Sequence, residues 1–346
     1  MNPKRTAVVA VILALAVVLA AALIADVRKL QVALTAYPVW RMAVACALVL
    51  GNYTLRTLRF RLYLTALPLR LPWLEAWLTF VAGFVATVSP GKMGEVFKGY
   101  LLNRRRGTPV ADVAVVVVAE RFTDVVGLLL LGTLALLAPG TGPMGGAYRG
   151  ALALIVLLCL GFLVAVVHPT LVPRVLQGVQ PRLTKPWLQK VWAIIAKTHG
   201  LLRRLCAPRW LLPGLALAMA AWLLEAVAFH YVLQGVDPSV GFPIAMAIYA
   251  VATLVGAVSM LPGGVGTTEA VMIALLTARP LGLHLDLGTA TLCTLLIRFA
   301  TLWFGVGMGA LALTALRFLP EIAPSPGAES PSVRVESPSV RAGPKA

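Results

Sequence analysis

The chain has 346 residues, of which 60% are hydrophobic and only 12% charged, whereas a soluble domain carries about 25% charged residues. Several apolar runs also approach the ~20 residues that cross a bilayer, which excludes one soluble domain and indicates a polytopic membrane protein. The net charge of +17 is read as Lys and Arg of cytoplasmic loops, not as a nucleic-acid surface, because such residues collect on the inner side of membrane proteins.

In chain order, the apolar run Ala7–Ala25 is read as a retained first helix over 6–25, with no small-x-small cleavage site before Asp26. Asp26 to Tyr37 reads as a short polar connection. A second helix is expected over 38–53, continuing as a basic segment with Arg56, Arg59, Arg61 and Arg70. The apolar run 72–88 ends at Ser89-Pro90-Gly91-Lys92-Met93-Gly94-Glu95, and a short helix over 94–103 follows. Pro109 opens a long helix over 109–137, and 138–146 is a Gly/Pro loop. A helix is expected over 150–167.

Residues 168–209 hold eight Lys or Arg and no Asp or Glu, with apolar residues at near-helical spacing. They predict an amphipathic helix over about 186–206, lying on an anionic leaflet. Then come a helix over 210–233, a turn over 235–242 and an apolar run over 243–261. That run ends at Leu261-Pro262-Gly263-Gly264-Val265-Gly266-Thr267-Thr268-Glu269. A short helix to Ala278, a turn at Arg279-Pro280 and a last helix over 286–316 follow. The Pro- and Ser-rich tail, 319–346, repeats Glu-Ser-Pro-Ser-Val-Arg and cannot build a core. The four cysteines, Cys46, Cys159, Cys206 and Cys293, form no CxxC pair or metal spacing.

The distribution of cations selects a topology. If 72–106 and 243–278 are re-entrant hairpins entering from opposite faces, then 56–70, 92–106, 168–209, the tail and both termini are cytoplasmic. The expected fold is therefore all-α, with about six full spans plus two oppositely oriented broken-helix hairpins, or about eight spans by a conventional count. The membrane domain is 1–318, with inverted-repeat-like elements 72–137 and 243–316. Opposed broken helices near the midplane are a recurring transporter device.

The two Pro-Gly-Glu stretches are the candidate site. Where a helix restarts after Pro-Gly, its positive end and unpaired N–H groups suit an anion. Ser89, Pro90, Gly91, Lys92, Gly94 and Glu95 form the first copy. Pro262, Gly263, Gly264, Gly266, Thr267, Thr268 and Glu269 form the second. Each precedes an apolar helix with an arginine inside it, Arg121 or Arg298. Glu120, Asp124 and Glu225 are further intramembrane charges, read as pairing or proton-coupling groups. A charge at such depth costs at least ~2.5 kcal/mol and marks a pathway or an ion pair. Static pairing, for example Arg121 with Glu95 and Arg298 with Glu269, is the plainer reading of the same residues. The four histidines are scattered, and no GxSxG, HExxH or SxxK motif supports catalysis. No metal or cofactor is expected.

The ordered set Ser89–Glu95, Lys98-x-Tyr100-Leu101-Leu102, Ala119-Glu120-Arg121-Phe122-x-Asp124, Leu261–Gly266, Glu269-Ala270 and Arg298 resembles the lysylphosphatidylglycerol synthase transmembrane-region, or flippase-like, family. The resemblance covers about 1–318. It implies an inner-membrane protein that moves lipids between leaflets. In fused members a similar domain flips aminoacylated phosphatidylglycerol, and other relatives are associated with polyprenyl-phosphate sugars or hopanoid-type lipids. This chain is expected to lack the soluble aminoacyl-transferase domain, so a synthase activity is not carried over.

The function expected is translocation of an anionic phospholipid or polyprenyl-phosphate-type lipid across the cytoplasmic membrane, without enzymatic chemistry. Membrane lipids are the expected partners. Two alternatives are a secondary transporter of a small soluble anion, and a non-transporting scaffold or regulator that partners a lipid- or glycan-synthesis enzyme.

Overall fold

A computed structural model describes residues 27–67, 69–87, 93–138, parts of 157–174, 186–278, 283 and 285–320. Among them every element is helical: α1 Val27–Ala36, α2 Trp40–Leu64, α3 Trp73–Ala82, α4 Met93–Arg106, α5 Val110–Leu137, α6 Pro186–Leu205, α7 Pro208–Leu233, α8 Phe242–Val258, α9 Thr267–Leu276, α10 Leu287–Arg298 and α11 Phe304–Ala315. A 3-10 turn, Gly83–Ala86, extends α3, and a π-helical turn, Phe299–Trp303, joins α10 to α11. The expected helix over 6–25, most of the loop 138–146, most of the helix 150–167, the turn at Arg279-Pro280 and the tail from 321 lie outside the described residues.

Two helices among the described residues are long and apolar enough to cross a bilayer, Pro208–Leu233 and the composite Leu287–Phe318. Helix α5 has 28 residues, about 42 Å at 1.5 Å per residue, but it carries Asp112, Glu120, Arg121 and Asp124. The apolar helices Trp73–Ala86, Phe242–Val258 and Pro262–Leu276 are shorter. Helix ends fall where a residue enforces them. Asp286 accepts hydrogen bonds from Gly288 N at 2.9 Å and Thr289 N at 3.2 Å to start α10. Helix α4 runs three residues past its expected end at 103, to Arg106, where Gly107, at φ 68°, closes it by donating to Asn103 O.

Two expectations are corrected. Residues 26–37 are not a plain connection: ten of them form α1, which contains no Gly or Pro and packs on α10. The second helix does not stop near residue 53. It runs unbroken to Leu64, and Arg56 and Arg59 lie inside the bundle rather than on a cytoplasmic rim. Helix α6 matches the predicted amphipathic segment, and Arg203 and Arg204 stand exposed while Leu205 is buried.

The core is built by exchange between the two halves. Helix α2 lies along α7, α3 packs against α11, and α8 packs against α5. The first arm of each broken element thus rests on the last helix of the other. Small residues permit this, because in a bilayer helices associate through close contact rather than water exclusion. A Cβ placed on Gly309 of α11 would lie 2.8 Å from Val85 N and 2.9 Å from Val81 O, so the α3 backbone sits directly on this glycine. Gly307, on the same helix, has nothing within 4 Å of that position. Gly309→Leu is therefore expected to destabilise the protein by about 1–3 kcal/mol, the usual cost of overpacking, while Gly307→Leu is near neutral. Thermal unfolding of the two variants in detergent checks this.

Candidate functional site

A cavity of about 520 Å³ lies where α2, α3, α4, α5, α7, α8, α9, α10 and α11 converge. Its wall takes Arg56, Lys98, Arg121 and Arg298 as cations and Asp124 and Glu225 as carboxylates. Phe80, Phe84, Leu128, Trp222 and Leu254 supply much of the apolar lining.

The first-half side is organised on Asp124. Arg59 reaches its Oδ1 at 2.7 Å, Arg121 its Oδ2 at 2.8 Å and Arg56 its Oδ2 at 3.6 Å. The Trp222 indole N–H donates to Oδ1 at 3.0 Å. One carboxylate thereby ties α2, α5 and α7. Arg59 is fully buried and also donates to Thr123 Oγ1, whereas the Arg121 side chain is 37% exposed. Arg56 is further held between aromatic faces, 5.3 Å from the Trp222 ring centre and 5.9 Å from Phe80. Lys98 pairs with Glu120 at 2.8 Å and lies 4.5 Å from Phe80 and 5.0 Å from Phe60. Ring faces stabilise these partly desolvated cations.

The second-half side is the second Pro-Gly break. Gly263, Gly264 and Gly266 adopt φ of 61°, 64° and 89°, conformations that side chains with a Cβ rarely take. The chain thus turns sharply from α8 into α9. Glu269 accepts from Gly266 N at 2.7 Å, so the new helix is closed by its own carboxylate. Arg298 donates to Glu269 Oε1 and to Gly263 O, both at 2.7 Å. The expected static pair Arg298–Glu269 is present. The Thr267 hydroxyl is used within the break, donating to Ser259 Oγ and Gly264 O. Met260, at φ 56°, is the positive-φ residue other than glycine among the described residues, and it lines the cavity.

Of the predicted site residues, Arg121, Asp124, Glu225, Gly263, Gly264, Thr268 and Arg298 are brought to the cavity wall. Pro262, Gly266, Thr267, Glu269 and Glu120 stand behind it, in the turn or in the pairs just described. Ser89, Pro90, Gly91 and Lys92 lie outside the described residues, as does the side chain of Glu95 at the start of α4, where Gly94 is described by its backbone alone. Thr87, just before that segment, lines the cavity.

Sequence reasoning missed Arg56, Arg59, Trp222 and Tyr249 as site residues and placed Lys98 among cytoplasmic charges. A signal was available for the arginines. Asn52, Arg56, Arg59 and Tyr63 recur at i, i+4, i+7 and i+11, which puts them on one face of α2, and all four are buried. A polar stripe on an otherwise apolar helix marks the inward face.

A second charge cluster sits at one end of the bundle. Glu75 at the start of α3 accepts from Arg105 Nε at 3.3 Å and from Arg106 Nε at 3.1 Å, and it also pairs with Arg106 Nη2. Arg105 donates onward to Leu316 O and Pro320 O at 3.0 Å. The two arms of the first broken element are thereby fastened to the end of the last helix.

The family model for the lysylphosphatidylglycerol synthase TM region matches residues 8–309, which include every residue of the cavity wall. Among curated proteins none matches the chain.

Removing Asp124 leaves buried guanidiniums without their carboxylate, and such a change typically costs about 3–5 kcal/mol. Asp124→Ala is accordingly expected to lower detergent stability severely. Arg59→Ala should follow closely, and Arg121→Ala should cost much less because that side chain is partly solvated. Melting temperatures of the three variants check the order.

Proposed function

The chain belongs to the lysylphosphatidylglycerol synthase TM region family, and from that premise we propose that it carries an anionic lipid between the leaflets of the cytoplasmic membrane. The headgroup phosphate binds in the cavity, on Arg121 and Arg298, with Arg56 and Lys98 beside them. A guanidinium offers a phosphate two parallel donors, and it does so more strongly in a desolvated site. Arg121 and Arg298 are held by Asp124 and Glu269 in this state, so phosphate binding exchanges one anionic partner for another.

The observation that carries the lipid reading over a soluble anion is the cavity's edge. Val258 and Met260 belong to its wall, yet they are 74% and 64% exposed. Apolar surface therefore continues from a cation-lined interior to the outside of the bundle, which suits an amphiphile.

On this reading the chain has about six full spans and two broken-helix hairpins inserted from opposite faces, with both termini cytoplasmic. The shortness of Trp73–Ala86 and Phe242–Val258 supports it, because neither helix spans the ~30 Å hydrocarbon core by itself. So does the reciprocal packing of α3 on α11 and α8 on α5, as expected of an inverted repeat. Ser89, Pro90, Gly91, Lys92 and Glu95 then form the counterpart of the second break. The cycle requires no chemical step.

In liposomes containing fluorescently labelled phosphatidylglycerol, wild type is expected to move label between leaflets. Arg121→Ala and Arg298→Ala should each slow it by roughly 10- to 100-fold, matching the ~1.5–3 kcal/mol of a hydrogen bond to a charged group. Equal rates in wild type and both variants, at matched incorporation, would sink the assignment. Uptake of soluble glycerol phosphate without lipid movement would favour the soluble-anion transporter.

A further inference from the structure

One carboxylate in the cavity has no task in anion binding. Glu225 of α7 lines the wall at 4% exposure. Its hydrogen bond is to the hydroxyl of Tyr249 on α8, which donates to Oε2. Among the described residues no Lys or Arg lies within the 4.0 Å that defines an ion pair with it. The groups within electrostatic reach are Arg56 and Tyr53 on α2, Asp124 on α5, Tyr249 on α8 and Arg298 at the end of α10. Trp222, one turn earlier on the same face of α7, holds Asp124. Glu225 therefore stands between the Asp124 cluster of the first half and the Arg298–Glu269 pair of the second.

We propose that Glu225 is a proton-binding site, and that a proton and the anionic headgroup occupy the cavity together. This rests on the lipid-carrier reading above and adds its coupling ion. An ionised Glu225 sets a negative charge beside Arg56 and Arg298, where it repels a phosphate and competes for the same guanidiniums. A protonated Glu225 removes the repulsion, keeps a hydrogen bond with Tyr249 and leaves both arginines to the headgroup. By linkage the two ligands favour each other reciprocally. Anion binding tightens as pH falls and takes up a proton, and binding weakens as pH rises and Glu225 ionises. A proton gradient then gives the lipid movement a direction, as carboxylates inside membrane spans do in pumps and transporters.

The test is titration of the purified full chain with short-chain phosphatidylglycerol, a phosphodiester whose charge is constant over the pH range used. Calorimetry in buffers of different ionisation enthalpy reads the protons taken up. Wild type is expected to take up about one proton per anion at high pH, with affinity falling roughly tenfold per pH unit there. Glu225→Gln should bind with a flat pH profile and no uptake, and Glu225→Asp should restore both. Proton uptake unchanged in Glu225→Gln overturns the coupling and leaves the lipid reading intact. Wild type that binds no phosphatidylglycerol at any pH overturns both. If Glu225→Gln does not fold, infrared difference spectra of wild type decide: a protonated-carboxyl band gained on binding supports the proposal, and its absence overturns it.

Discussion

Three arginines on one carboxylate is the arrangement on which the rest of the bundle depends. Asp124 receives Arg56 and Arg59 from α2, Arg121 from its own helix, and the Trp222 indole from α7. In lipid each of these charges is costly alone, which holds α2 to α5, and the Trp222 indole adds α7 to the same carboxylate. The cluster is also graded. Arg59 is sealed in, Arg56 is held between rings, and Arg121 reaches the cavity. Along one short line of charge, burial falls from the sealed Arg59 to Arg121, whose side chain is 37% exposed.

Each half also places a two-residue ion pair beside the cavity, with the signs of the charges exchanged. In the first half a short-arm cation, Lys98, pairs with a long-helix carboxylate, Glu120. In the second a short-arm carboxylate, Glu269, pairs with a long-helix cation, Arg298. Each pair joins the re-starting helix to the long helix that follows it, and each lies beside the same cavity. The second pair also closes the break, because Glu269 caps α9 and Arg298 holds the Gly263 carbonyl. Losing the Arg298 contacts would therefore also loosen the turn between α8 and α9.

Much of this plan was legible in the sequence. The second break, its glutamate and Arg298 stood out because Pro, Gly and ionisable residues are conspicuous in apolar surroundings, and the structure brings them into contact. The long helix with Glu120, Arg121 and Asp124 was equally plain. Arg56 and Arg59 were misread because arginines at the end of an apolar run look like the exit of a span, and charge counting treats every such residue as loop. Only their spacing with Asn52 and Tyr63 distinguishes an inward stripe from a cytoplasmic rim. Trp222 and Tyr249 carried no signal of their own, since an aromatic in an apolar helix is ordinary until its polar tip has a partner. The pairing of α3 with α11 and α8 with α5 joins segments far apart in the chain and leaves no local trace.

The π-helical turn after Arg298 sets the phase between two faces of one composite helix. Upstream, Arg298 points to Glu269 and the α8–α9 turn. Downstream, Gly305 and Gly309 meet Tyr53 and the α3 backbone. A π-turn holds one residue more than a regular turn, and one residue is about 100° of rotation in an α-helix. Residues 299–303 therefore act as a clocking element: with one residue fewer the same side chains would remain, but the ionic face and the glycine face would be out of register.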